Sequence, residues 1–134
     1  MCKMQHIYQI VRKYPLTVAF WVVVWYLSFF TPPHTRLDNI QFIDKWTHIC
    51  MYGATCTVMW VEYMKRHDKI KEKAKLFLLV WAAPIVTSGI IELLQEYCTN
   101  GRRSGDWLDL AANATGVTLA TVIGLLLARR RSMF

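Results

Sequence analysis

Residues 107–128 read WLDLAANATGVTLATVIGLLLA, and this stretch decides the fold. Asp109 is its one charge. A helix needs about 20 mostly apolar residues to cross the hydrocarbon of a bilayer, so the stretch reads as a membrane-crossing helix. Two patterns run along it. Ala112, Gly116, Ala120 and Gly124 recur every four residues, a ladder of small side chains that lets a second helix come close. Asp109, Asn113, Gly116 and Ala120 fall within about 60° of one another at about 100° per residue. The face that packs is therefore the face that carries Asp109 and Asn113 inward.

Three more spans precede it. The first runs from about Pro15 to Thr31 without a charge. Pro15 suits a helix start, and Pro32-Pro33 ends it. The second runs from about Lys45 to Met64 and the third from about Leu76 to Cys98. In the third, Pro84 lacks the N–H of a helical bond and predicts a kink. Composition agrees: 54% of 134 residues are hydrophobic and mean hydropathy is +0.24. A soluble chain this small has too little interior to hide that surface. The expected fold is all-α, an integral membrane four-helix bundle in one domain over residues 1–134, with spans at about 15–31, 45–64, 76–98 and 107–128.

The segments between the spans are short. Met4 to Lys13 mixes apolar and basic residues and reads as an interfacial helix. Residues 33–43 lie along the interface, 65–75 form a basic loop, and Asn100-Gly101 marks a tight turn. Trp46, Trp60 and Trp107 stand near span ends, where aromatic anchors sit. The cysteines form no C-x-x-C pair, so no zinc or redox motif is present, and Cys50 and Cys56 read as packing residues.

Lys and Arg orient the bundle. With four spans, the N-terminus, the middle loop and the C-terminus share a side. That side carries twelve of the sixteen basic residues; Arg36, Lys45, Arg102 and Arg103 fall on the other. The positive-inside rule places both termini in the cytoplasm. The same distribution argues against nucleic acid as a partner, because the net charge of +7 caps the spans and forms no single patch.

The polar residues of the spans collect at the outward ends. Asp44, Lys45, His48 and Tyr52 open the second span. Glu92, Gln95 and Glu96 close the third. Asp106, Asp109 and Asn113 begin the fourth. Lys45, His48 and Tyr52 are three and four residues apart, so they share a helical face. Glu92 with Gln95, and Asp109 with Asn113, do the same. Ionisable groups at membrane depth face a bundle interior or a wet cavity, so the three stripes are expected to converge.

Individual residues also carry simpler readings. Asp44 and Asp106 suit helix starts, where backbone donors favour a carboxylate. Glu92 lies about two turns inside the span end and needs a partner; Arg102, Arg103, Lys45 and His48 are the choices. Glu62, near the opposite end of the second span, reads as solvated. His48 with Asp44, Glu92 and Asp109 offers nitrogen and oxygen ligands, but no motif such as H-E-x-x-H appears, and neither a metal nor a cofactor is expected. No Ser-His-Asp signature or phosphate-binding glycine loop is present.

These residues carry a resemblance. Asp44-Lys45-Trp46-Thr47-His48 followed by Tyr52 resembles the D-K-x-x-H-x-x-x-Y signature of the VanZ-like membrane protein family. Glu92-Leu93-Leu94-Gln95 resembles its E-x-x-Q element. Arg103, Asp106, Asp109, Asn113 and Gly116 resemble its closing R-x-x-D-x-x-D-x-x-x-N-x-x-G stretch. The likeness runs from the second span to the fourth, in order. It implies a multi-pass protein of the bacterial cytoplasmic membrane. The family takes its name from an accessory protein of glycopeptide resistance that acts on teicoplanin, but it supplies no settled biochemical activity.

Three functions fit. In the first, an outward pocket binds or modifies an envelope component, such as a lipid-linked precursor or a glycopeptide. Arg103 and Lys45 would hold anionic groups there, and Asp44, Tyr52, Gln95, Asp106 and Asn113 would complete the lining. In the second, the protein is an enzyme acting on a lipid-linked phosphate or sugar, with His48, Glu92 and Asp109 as acid–base candidates. The third is a small lipid transporter or flippase, disfavoured by a site at one membrane face instead of the midplane. Four helices would also have to oligomerise for that role. A purely structural clasp would use the same residues.

Overall fold

The computed structural model describes residues 2–29, 43–98 and 107–133, with the backbone alone at 43 and 44. Every element among them is helical: α1 (Cys2–Lys13), α2 (Pro15–Phe29), α3 (Ile43–Arg66), α4 (Lys73–Cys98) and α5 (Trp107–Arg130). Two of these, α4 and α5, are long and apolar enough to cross a membrane, and α1 with α2 makes a third if that bent pair is one span. Helix α3 is as long as α5, at 24 residues, but it is not among the helices apolar enough to cross. The interfacial stretch 33–42, the Asn100-Gly101 turn, Arg103 and Asp106 lie outside the described residues.

Chain direction changes by 100° between α1 and α2. Pro15 disfavours helical backbone at Tyr14, and the two helices have different surroundings to satisfy. Helix α1 buries nothing; Met4, Ile7, Tyr8 and Val11 form an exposed apolar stripe at helical spacing, with Lys3, Arg12 and Lys13 beside it. That is the pattern of a helix lying in a bilayer interface. Helix α2 is uncharged and runs into the bundle.

Glu62 of α3 fixes this corner, and it is not solvated as its sequence position suggested. The residue is 6% exposed. Oε1 accepts the Leu16 N–H and Oε2 the Thr17 N–H, both at 2.9 Å, and the Thr17 hydroxyl donates to Oε2 at 2.6 Å. The first turn of any helix has donors without helical partners, and a carboxylate there also meets the positive end of the helix dipole. Glu62→Ala is expected to lower stability by about 1.5–3 kcal/mol, the range for hydrogen bonds to a charged group. Reversible unfolding in mixed micelles measures it; a loss within about 0.5 kcal/mol, as at an ordinary surface site, would show that this cap does not hold the corner.

The centre of the bundle is the pair α3 and α5. The small-residue ladder of α5 is buried along its length: Ala112, Gly116, Ala120 and Gly124 all face inward. The two backbones meet where Gly53 crosses Gly116, and a Cβ on Gly116 would press into the Ile49 carbonyl. Gly124 lies against the indole of Trp60. Trp60 is therefore a core residue, 2% exposed, and not an interfacial anchor. Trp46 and Trp107 do project outward. Cys56 is buried, as a packing residue is, but Cys50 is exposed.

Helix α4 closes the bundle and begins at Lys73, a turn before the expected Leu76. Just before Pro84 the helix winds into a π-helical turn, Leu78–Ala82. The Ala83 N–H reaches back five residues to the Leu78 carbonyl. Pro84 has no N–H for the Val80 carbonyl, and the Cys56 thiol donates to that oxygen at 3.7 Å instead. Such turns need a second donor from a neighbouring helix.

At the end holding Glu62, the middle loop and the tail are joined. The Ile70 N–H donates to the Met133 carbonyl at 2.8 Å, and Arg131 Nη1 to the Met64 carbonyl at 3.1 Å. Helix α5 stops in a Schellman turn: Met133 N–H returns to the Ala128 carbonyl, Ser132 N–H to Arg129, and Ser132 takes a left-handed φ of 55°. Met133 and Ala128 then bury together with Trp60, Met64 and Leu76. The α1–α2 corner, the basic loop and the tail therefore share one end.

The outer faces are apolar. Val22, Val23 and Tyr26 of α2, Leu78, Leu79 and Val86 of α4, and Leu119, Ile123 and Leu126 of α5 are all exposed. Soluble monomers rarely expose contiguous apolar surface on that scale. Lipid tails are as apolar as leucine and cover it without penalty.

Candidate functional site

The end of the bundle opposite Glu62 holds the polar groups. Lys45, His48 and Tyr52 leave α3 in its first turns, Glu92 and Gln95 leave the last turns of α4, and Asp109 and Asn113 the first turns of α5. His48, Glu92 and Asp109 are each 6–7% exposed; Tyr52, Gln95 and Asn113 are at most 2%. These residues converge because each sits on the stripe of its helix that also packs: Asn113 is one turn from Gly116, and Gln95 one turn from buried Ile91.

Charge is balanced locally. Lys45 Nζ meets Asp109 Oδ1 at 2.5 Å. The other oxygen, Oδ2, faces His48 Nε2 at 3.7 Å, beyond hydrogen-bond distance. On the far side of the ring, His48 Nδ1 is 2.8 Å from Asn113 Oδ1. A carbonyl oxygen can only accept, so Nδ1 donates to Asn113 and Nε2 is the ring atom turned toward Asp109. Glu92 completes the group: one ligand atom each from His48, Glu92 and Asp109 lie within 4.8 Å of one another.

Helix α2 enters the cluster through its backbone. Gln95 Nε2 donates to the Ser28 carbonyl at 2.5 Å, tying the last turn of α2 to α4. Sequence reasoning did not single out Ser28, since a main-chain acceptor leaves no signal in residue type. Tyr52 packs edge-on against Trp21 with ring centroids 6.2 Å apart. Its hydroxyl and the Asn113 amide nitrogen are buried without a hydrogen-bond partner among the described residues. Both project from the stripes that line the cluster.

Beside the cluster, a half-open groove of about 560 Å³ lies between α4 and α5. Val86, Ile90, Leu93, Trp107 and Leu110 make it largely apolar, Gly89 widens it, and Glu92 and Glu96 are in its wall. Its α4 residues recur at three- and four-residue steps, a second stripe beside the buried one. The sequence holds that signal, but a lipid-facing stripe looks the same.

Of the sequence-derived site residues, Lys45, His48, Tyr52, Glu92, Gln95, Asp109 and Asn113 come together here. The side chain of Asp44, and all of Arg103 and Asp106, lie outside the described residues. Chemically, the cluster offers a fixed cation at Lys45, an oriented imidazole, two carboxylates and an amide, in a site largely shielded from water. No protein-family model, no curated protein and no solved structure matches the chain.

Proposed function

We propose that this chain is a VanZ-like protein of the bacterial cytoplasmic membrane, crossing it four times with both termini inside, and that it binds the polar part of a cell-envelope amphiphile at its outward end. The observation that carries the reading is the double placement of Glu92. It belongs to the buried polar cluster and also to the wall of the α4–α5 groove. An amphiphile needs those two environments side by side: an apolar groove for its chain and hydrogen-bonding groups for its head. Lys45, and Arg103 by its place in the motif, would meet an anionic head group. Binding sites of this kind are mostly apolar with a few placed polar groups.

The test uses the purified chain in detergent, with undecaprenyl phosphate, phosphatidylglycerol and teicoplanin as separate probes, read by native mass spectrometry. At least one probe should be retained above background. Gly89→Leu fills the groove and is expected to weaken that retention at least tenfold. Binding of none of the three, or binding unaffected by Gly89→Leu, would sink the reading.

A specific geometry favours one alternative, an enzyme acting on a lipid-linked phosphate or sugar. The His48 ring is held by Asn113 with Nε2 aimed at the acidic pair, as a general base would be. Turnover lost in His48→Ala while lipid stays bound would move the assignment there.

A further inference from the structure

We propose that the groove between the first turn of α2 and the last turns of α3 is a binding site for one anionic phospholipid, with Lys65 and Arg66 at its phosphate. This site lies at the end of the bundle opposite the polar cluster and does not depend on it. The groove encloses about 370 Å³. Pro15 and Leu16 line it from α2; Val58, Val61, Lys65 and Arg66 line it from α3. Leu16 and Val61 are exposed, so the groove opens on the outer face of the bundle. Val58, Val61 and Lys65 follow one another at three- and four-residue steps, which places them on one stripe of α3. Val58 lies about 10 Å from Lys65 along the axis at about 1.5 Å per residue. The stripe therefore passes from apolar to cationic in the order in which a lipid presents its acyl chain and then its phosphate.

Depth and charge agree with that order. Helix α1 turns from α2 by 100° just before Pro15, and its exposed apolar stripe is that of a helix lying in the interface. The corner therefore puts Pro15 at the level of the head groups. The Leu16 and Thr17 N–H groups donate to Glu62, one turn before Lys65 and Arg66, so the two cations stand at the same level. Both are exposed, and Lys65 makes no ion pair among the described residues. Glu62 is in the wall as well, but three donors of α2 already hold its carboxylate, and Arg66 stabilises its charge. A phosphate at the rim thus meets two cations and a carboxylate already engaged. Arginine suits phosphate through paired N–H bonds, and lysine adds a compact charge. A free phosphate would use the cations but leave Val58 and Val61 without a partner; a phospholipid uses both.

The competing account is diffuse attraction, in which any basic residue at a span end draws anionic lipid by charge alone. Charge-matched variants separate the two. The purified full chain in detergent is titrated with phosphatidylglycerol, and bound lipid is counted by native mass spectrometry. Lys65→Gln with Arg66→Gln is expected to lower the affinity for one phosphatidylglycerol by about tenfold or more. Lys69→Gln with Lys71→Gln, on the exposed loop, removes the same charge and should bind like the parent. Val61→Trp fills the groove without touching a charge and should weaken binding as the first pair does. Phosphatidylcholine with the same acyl chains, and glycerol phosphate without them, should both be retained more weakly than phosphatidylglycerol. Each variant is checked for helicity and monodispersity. Phosphatidylcholine or glycerol phosphate bound as tightly as phosphatidylglycerol, equal losses in the two charge pairs, or unchanged binding in folded Val61→Trp overturns the site. The two lipid sites fail separately. Gly89→Leu should leave this phosphatidylglycerol in place, and Lys65→Gln with Arg66→Gln should leave an amphiphile of the α4–α5 groove in place.

Discussion

Gly116→Ala will destabilise this bundle by about 3 kcal/mol, although alanine is the better helix former. Overpacking a tight contact costs about 1–3 kcal/mol and occasionally more, and here the obstacle is backbone. A Cβ at Gly116 runs into the Ile49 carbonyl and crowds the Gly53 nitrogen. Neither can rotate away, so α3 and α5 must separate, stretching the His48–Asn113 and Lys45–Asp109 pairs one and two turns away. Local propensity argues the other way, since replacing glycine by alanine in a helix favours it by about 1 kcal/mol. Gly53→Ala is the control. Its Cβ would sit 3.5 Å from the Gly116 carbonyl, an ordinary contact, so that variant should match or slightly exceed the parent. Reversible unfolding in mixed micelles reads both. Gly116→Ala within about 0.5 kcal/mol of the parent would mean that the backbones do not cross there.

Asp109→Leu should cost about 3–5 kcal/mol, the range for removing one partner of a buried ion pair. The loss is larger than a surface pair would give because the Asp109 side chain is 10% exposed and the Lys45 side chain 22%. The ammonium would keep its charge without that carboxylate, and His48 would lose the oxygen facing Nε2. Lys45→Met together with Asp109→Leu should recover much of the loss, since two well-packed apolar side chains often replace a buried pair at little cost. A double-mutant cycle gives the coupling directly. A double variant no more stable than Asp109→Leu alone would show that Asp109 acts mainly through His48 and not through Lys45.

The α3–α5 pairing was legible in the sequence because periodicity carries it. Four small residues at four-residue spacing, with Asp109 and Asn113 on the same face, leave one way for α5 to pack. The convergence of Lys45, His48, Glu92 and Asp109 followed from the cost of a charge in lipid. What was not legible depended on partners distant in the chain. Glu62 looked solvated because nothing near it in sequence needs a carboxylate; the donors it satisfies belong to Leu16 and Thr17, on another helix. Trp60 looked like an anchor because its position along the span is right, and only the facing Gly124 makes room for it in the core. Pro84 announced a break, but not that the freed Val80 carbonyl would find Cys56. The groove was hidden for a different reason: apolar residues facing a ligand and apolar residues facing lipid leave the same pattern.

The close fit of α3 against α5 has a consequence for how the protein is made. Helix α3 is not among those apolar enough to cross a membrane on composition, and Asp109 and Asn113, which satisfy its Lys45 and His48, are encoded after it. When Arg66 leaves the ribosome, roughly 40 residues separate it from Trp107, a delay of about 2–8 s at 5–20 residues per second. During that interval α3 has its basic and imidazole groups but not the helix that neutralises them. If the chain crosses four times as proposed, α3 must be sheltered in the translocon or at the lipid surface until α5 arrives, and insertion and folding of these two helices then become one event.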